Sequence, residues 1–209
     1  LETLLALQYY VEAYKAAGLK LADHFVAITD QGSKAPIATW ANKNSVSILN
    51  MDVLLGGRWS VTSAVGAFPL AFCGIDVEAY LAGVEKRFSN PPDAETIKLA
   101  LRFADYDKAD FNIHSLWLYS SRLKEIGAWW KQLWSESLGK KKASQYVGAF
   151  AAPATGAVDQ HSVLQQMAEG RPDAYTGFIF VKNNSKNIEV KNLDADFASK
   201  IGFAQGKNW

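Results

Sequence analysis

His24-Phe25-Val26-Ala27-Ile28-Thr29-Asp30, read with what surrounds it, decides the fold. An apolar run of this length beside turn residues reads as a buried strand. Upstream, Leu4, Leu5, Leu7, Tyr10, Val11 and Tyr14 recur at helical spacing until Gly18. Downstream, Gln31-Gly32-Ser33 is a turn, Lys34 to Asn42 a helix, and Ser45 to Met51 a second strand-like run. Alternating α and β units of this kind imply a parallel sheet covered by helices.

After Gly56-Gly57 the pattern turns helical over Ser60 to Phe72, Val77 to Phe88 and Pro92 to about Tyr106, with Asn90-Pro91 separating the last two. A domain boundary is therefore expected near Gly56, giving residues 1–55 and 56–209. The alternation then resumes: strand Phe111 to Tyr119, helix Arg122 to Leu138, strand Tyr146 to Ala151, helix Gln160 to Gly170 and strand Thr176 to Val181. A second α/β sheet is predicted. The tail adds a short strand, Ile188 to Val190, and a helix, Asp194 to Ile201.

Composition narrows the function classes. The 209 residues are 49% hydrophobic and 21% charged, enough for one large domain or two small ones. Seven Trp, eight Tyr and eleven Phe point to a large core, with a surface buried against a partner as the alternative. Twenty-two basic against twenty-one acidic residues leave a formal charge of +1, so no net field draws nucleic acid or anionic lipid. Lys140-Lys141-Lys142 reads as a solvated loop after a helix C-terminus, with a phosphate contact as the alternative.

The single cysteine, Cys73, excludes an intrachain disulfide, fits a reducing cytoplasm, and reads as core. His24, His114 and His161 lack the short spacing of zinc ligands, so no metal is expected. His24 and His114 read as strand residues with satisfied ring nitrogens. The longest uncharged run, Trp59 to Ile75, is interrupted by Gly66, Pro69 and Gly74, which suits a buried helix better than a membrane span. The helical pattern starts at Leu1-Glu2-Thr3 with no capping residue, as if the chain began inside an element.

Three places can carry chemistry. In Gly56-Gly57-Arg58-Trp59-Ser60 two glycines tolerate φ > 0 and let backbone N–H groups approach an anion, Arg58 adds a fixed charge, and Ser60 suits a helix N-cap. The plainer reading is a linking turn whose arginine caps a neighbouring helix. On the helix Arg122 to Leu138, Gln132 and Glu136 stand i, i+4 beside an apolar face of Ile126, Trp129, Trp130, Leu133 and Trp134, so both can reach one ligand. Glu136 lies near the helix C-terminus, where the macrodipole disfavours negative charge, as suits a proton carrier. A solvated surface glutamate is the plainer reading. In Thr155-Gly156-Ala157-Val158-Asp159-Gln160-His161-Ser162 a loop enters a helix, with Asp159 as N-cap and His161 in the first turn, suited to act as a neutral donor and acceptor. A first-turn histidine bonded to local backbone is the alternative.

Together the three segments resemble phosphoglucose isomerase, most clearly its shorter bacterial forms. Gly56 to Gly66 is similar to that family's first signature, although many members carry Phe or Tyr at the position of Trp59. Glu136-Ser137-Leu138-Gly139-Lys140 and Asp159-Gln160-His161-Ser162 follow at matching distances. The resemblance covers essentially the whole chain and implies an α/β fold of sugar-isomerase (SIS) type: the end of a first subdomain and most of a second. It further implies an aldose–ketose isomerase of glycolysis and gluconeogenesis that interconverts glucose 6-phosphate and fructose 6-phosphate. Glu136 would move the proton between C1 and C2, Arg58 would stabilise the enediolate, and His161 would assist ring opening from the neighbouring subunit of a homodimer. Gly57, in the first signature, would bind substrate, and Gln132 and Thr3 match positions that contact the substrate or its phosphate. No cofactor is implied.

The family's Ser- and Thr-rich phosphate loop precedes the match to Leu1-Glu2-Thr3, and its lysine motif follows the match to Trp209; Lys207 does not stand in that context. The chain resembles a central fragment, expected to be inactive or nearly so by itself. Two other readings are a truncated sugar-phosphate-binding module and an isomerase of another sugar phosphate such as mannose 6-phosphate. Retention of Arg58, Glu136 and His161 argues against the module, since a binder needs no proton shuttle.

Overall fold

The first alternation forms as the apolar spacing requires. In the computed structural model, which describes residues 1–30, 32, 34–182, 189–190 and 192–207, α1 (Glu2–Ala16) is followed by a single helical turn, α2 (Leu21–His24), and by β1 (Val26–Thr29). His24 therefore ends a helix instead of opening a strand: Phe25 N–H bonds to Leu21 O at 3.0 Å, and the exposed imidazole lies 5.3 Å from the Tyr14 ring. Gly32 N–H bonds to the Asp30 carboxylate at 3.0 Å; the rest of the expected turn, Gln31 and Ser33, lies outside the described residues. Then come α3 (Pro36–Lys43), with its proline at the tolerant helix start, and β2 (Ser47–Asn50).

β1 and β2 pair in parallel from Val26↔Ser47 to Thr29↔Asn50. Val11, Leu21, Ala27, Ala41 and Val46 form the core beneath them. An aromatic edge of Tyr14, Phe25 and Trp40 extends it, with centroid separations of 5.1 and 5.6 Å.

Residues Gly57–Thr62 form a 3-10 turn, followed by α4 (Ala64–Phe72), α5 (Val77–Phe88) and α6 (Ala94–Lys108). The expected N-cap Ser60 lies inside the turn, its hydroxyl bonded to Gly57 O at 2.8 Å; Ser63 caps α4 instead, accepting from Val65 N–H at 3.2 Å. The uncharged run does not form a buried helix. No residue of α4 is buried, Phe72 is 85% exposed and Cys73 is exposed, because the principal neighbours of α4 are one 3-10 turn and one helix. By backbone contacts the chain divides inside α6, into Leu1–Leu99 and Ala100–Trp209.

The second unit is built on β3 (Ile113–Tyr119). A single turn leads from it to α7 (Lys124–Leu138), then to a hairpin of β4 (Lys140–Lys142) and β5 (Gln145–Val147), then β6 (Phe150–Thr155), α8 (Leu164–Glu169), β7 (Ala174–Phe180) and α9 (Ala195–Ile201). The sheet order is β6-β3-β7, all parallel. Parallel sheets flanked by helices, the predicted α/β class, are thus present in both units.

Two local expectations fail here for identifiable reasons. Lys140-Lys141-Lys142 is a strand, not a loop, because a turn at Ala143 (φ 53°) folds β5 back onto it, and Lys141 Nζ stands 5.4 Å from the Tyr146 ring centre. The single strand expected over Tyr146 to Ala151 is broken at Gly148 (φ 92°), whose N–H bonds to the Asp107 carboxylate at 2.9 Å. A Cβ there would lie 2.6 Å from Leu138 O, so only glycine fits.

His114 is on β3 as expected and 2% exposed, but it is not satisfied: among the described residues neither ring nitrogen has a hydrogen-bond partner. Phe103, Trp130, Trp134 and Tyr175 enclose the imidazole at centroid distances of 4.7, 4.8, 4.6 and 4.4 Å. Burial alone pushes its pKa down to about 4. In the tail, Asp194 caps α9 and Val190 exchanges backbone bonds with Lys207 and Gly206; the expected strand's Ile188 lies outside the described residues.

Candidate functional site

In the first unit the 57–62 turn carries Gly57 and Arg58. Neither Gly56 nor Gly57 has positive φ, contrary to expectation, and a Cβ on either would meet nothing within 4 Å. Open space beside the backbone, not an unusual conformation, is what the two glycines provide here. Below them the turn is fixed firmly. Thr62 Oγ1 donates to Trp59 O at 2.8 Å, Tyr80 of α5 donates its hydroxyl to Val61 O at 2.8 Å, and Gly66 of α4 packs against the Val61 carbonyl. Arg58 is half-buried, with its Nε out of solvent. Thr3 lies in the first turn of α1 and is exposed.

In the second unit α7 presents Glu136 and Gln132 to solvent, and Gln132 Nε2 donates to Glu136 Oε1 at 3.1 Å. The i, i+4 spacing thus joins the two side chains, as read from sequence. The helix ends just beyond, where Lys140 Nζ donates to Glu136 O at 3.2 Å. Its apolar side is anchored to the sheet by Trp134, whose indole N–H donates to Ala149 O at 3.0 Å.

His161 sits differently from expectation. Asp159–His161 form one 3-10 turn, and α8 begins only at Leu164, so Asp159 is not a helix N-cap and His161 is not in the first turn of α8. The Asp159 carboxylate instead reaches back, accepting from Thr155 N–H at 2.6 Å and from Ser162 Oγ at 3.1 Å. Gln160 Nε2 donates to the Tyr119 hydroxyl at 2.8 Å, and the exposed His161 follows.

Topology sets the relation between these two places. Because α7 leaves the C-terminal end of β3 and runs antiparallel to the strands, its last turn lies by the start of β6, where Trp134 meets Ala149. The His161 turn follows the other end of β6, after Thr155. At strand rise the two stand apart by about 20 Å. One copy of the unit brings Gln132 to Glu136 and leaves His161 away from both. Two cavities in this unit, of about 240 and 320 Å³, are lined by neither Glu136 nor His161. Among the described residues no group of three or more His, Cys, Asp or Glu could hold a metal, and no helix is long and apolar enough to cross a membrane.

The family model for phosphoglucose isomerase matches residues 2–208. This chain belongs to the phosphoglucose isomerase family. Among individual relatives, it is 31% identical over 208 residues to a glucose-6-phosphate isomerase of Thermus thermophilus, covering 98% of this chain and 50% of that one. It is also 31% identical over 204 residues to the Campylobacter jejuni glucose-6-phosphate isomerase, covering 93% and 49%. A crystal structure described as a hypothetical protein from Thermus thermophilus superimposes with a TM-score of 0.85 at 30% identity, over 99% of this chain and 50% of that one. The Chlamydia trachomatis glucose-6-phosphate isomerase structure shares the fold, with a TM-score of 0.74 at 23% identity, over 94% and 41%. As a phosphoglucose isomerase family member, the chain spans about half the length of the relatives it matches.

Proposed function

We propose that this chain is part of a longer cytoplasmic polypeptide that interconverts glucose 6-phosphate and fructose 6-phosphate in glycolysis and gluconeogenesis. The observation that carries the proposal is the solvent-facing Glu136, aligned by Gln132 at 3.1 Å, in a chain the family model matches from 2 to 208. In this reading residues 1–55 end a first sugar-isomerase domain and 56–209 form most of a second. Large apolar side chains left exposed, such as Phe72 in the first unit and Phe150 in the second, support a larger whole.

The chemistry follows from the residue types. A carboxylate takes the proton from C2 of the open-chain aldose and returns it to C1, while the charge passing to oxygen is met by a guanidinium. Glu136 is the proton carrier, with Gln132 restricting its rotamers. Arg58, fixed on the 57–62 turn, stabilises the enediolate, and open space beside Gly57 lets substrate approach the backbone. Thr3 contributes to substrate binding. His161 assists ring opening, supplied by the partner copy of a homodimer with shared sites.

The test is steady-state isomerisation of fructose 6-phosphate by the full-length polypeptide, with and without Glu136→Gln. The substitution preserves size and the partner of Gln132, so kcat should fall by roughly 10³-fold or more with little change in KM. An unchanged kcat removes Glu136 from the proton path.

A further inference from the structure

We infer that Tyr119 is a positioning residue for His161, holding the turn that carries it at the end of the sheet. The inference rests on the ring-opening role proposed above for His161. Tyr119 is the last residue of β3, and its hydroxyl accepts from Gln160 Nε2 at 2.8 Å, one residue before His161. Its ring lies flat against the loop that leaves β6: a Cβ on Gly156 would stand 2.5 Å from Tyr119 Cδ1 and 2.7 Å from Cε1. Gly156 N–H also bonds to Leu118 O at 2.9 Å, which extends the ladder by one residue to bring the loop under the ring. From the opposite strand Phe180 stacks on Tyr119, with centroids 5.0 Å apart and planes 21° apart, so the phenol cannot swing away without losing that contact.

Among the described residues the other hydrogen bonds of the turn are local. Asp159 bonds to Thr155 and Ser162, both within four residues, and His161 N–H bonds to Val158 O at 3.1 Å. The Gln160–Tyr119 bond spans 41 residues and fixes the turn to the central strand. Without it the turn stays joined to the end of β6 through Thr155 but loses its side-chain bond to the central strand, so the imidazole shifts relative to a ring oxygen it must reach to within hydrogen-bond distance.

Tyr119→Phe keeps the stacking and removes the acceptor; Gln160→Ala removes the donor from an exposed position. In the full-length enzyme each should lower kcat for fructose 6-phosphate roughly tenfold with KM unchanged, and each effect should vanish in a His161→Ala background. Thermal melts of the variants confirm folding, and Gln160→Ala stands in if Tyr119→Phe fails it. Equal losses in both backgrounds, or no loss where His161→Ala alone is impaired, overturn the positioning role while leaving the proposed function intact. Full activity of His161→Ala overturns the ring-opening role itself, and the inference with it.

Discussion

Glu136 and His161 occupy opposite ends of β6: the first beside its start, through the Trp134–Ala149 bond, the second after its last residue, Thr155. A strand length of about 20 Å is far beyond hydrogen-bond reach. The proposal that both act on one sugar phosphate therefore draws them from different copies of the chain. The separation follows from the parallel sheet: α7 runs back from the end of β3 to the start of β6, and the His161 turn follows the far end of β6. The proposed homodimer with shared sites is the reading consistent with this placement.

The first signature should split into a functional part and a structural part. At Gly57 an added methyl meets nothing within 4 Å, so Gly57→Ala should leave the melting temperature unchanged or slightly raised. It should still lower activity, because the methyl would occupy the space proposed for substrate. At Gly66 an added methyl would run into the Val61 carbonyl, so Gly66→Ala should destabilise the fold by about 1–3 kcal/mol. Melting curves and kcat/KM on both variants check the contrast. Equal behaviour of the two would contradict it.

Stability should weaken in acid through His114. Its folded pKa is pushed down to about 4 by burial, while the unfolded imidazole titrates near 6.5. A depressed folded value means the unfolded state binds the proton first, so stability is full above about pH 6.5 and declines as pH falls towards 4. The full loss is roughly 3 kcal/mol. Tyr175, stacked on His114 at 4.4 Å, is raised to about 12 by burial and then by the Asp107 charge, so a second decline is expected as pH rises from about 10 through 12. Urea unfolding followed by tryptophan fluorescence reports both limbs, since Trp130 and Trp134 line the box. His114→Phe, which keeps an aromatic ring and forfeits no hydrogen bond, should abolish the acid limb and keep the alkaline one.

Much of this fold is written in local periodicity. The helix Val77–Phe88 lies where the sequence put it, and the strands and major helices of both sheets differ from expectation mainly at their ends. The failures share a cause. Gly148 breaks a strand because Asp107 and Leu138, distant in sequence, close around it; Asp159 turns back to Thr155 instead of capping α8; and the apolar run at α4 stays exposed because little packs on it. Each is a tertiary decision that no local window contains. Among the proposed site residues, the Gln132–Glu136 pair was legible because helical spacing alone brings it together. Tyr119 was not, since its bond to Gln160 joins the ends of two elements.

Subunit mixing tests the shared site most directly. Full-length Glu136→Gln and His161→Ala variants, each expected to be nearly inactive alone, are unfolded together in equal amounts and refolded. Random reassortment makes half the dimers mixed, each with one intact site, so activity should recover to about a quarter of that of the unmodified enzyme. Recovery to that level is the predicted result. No recovery, with dimers demonstrably exchanged, would mean that both residues serve the same site from one chain, against the geometry described above.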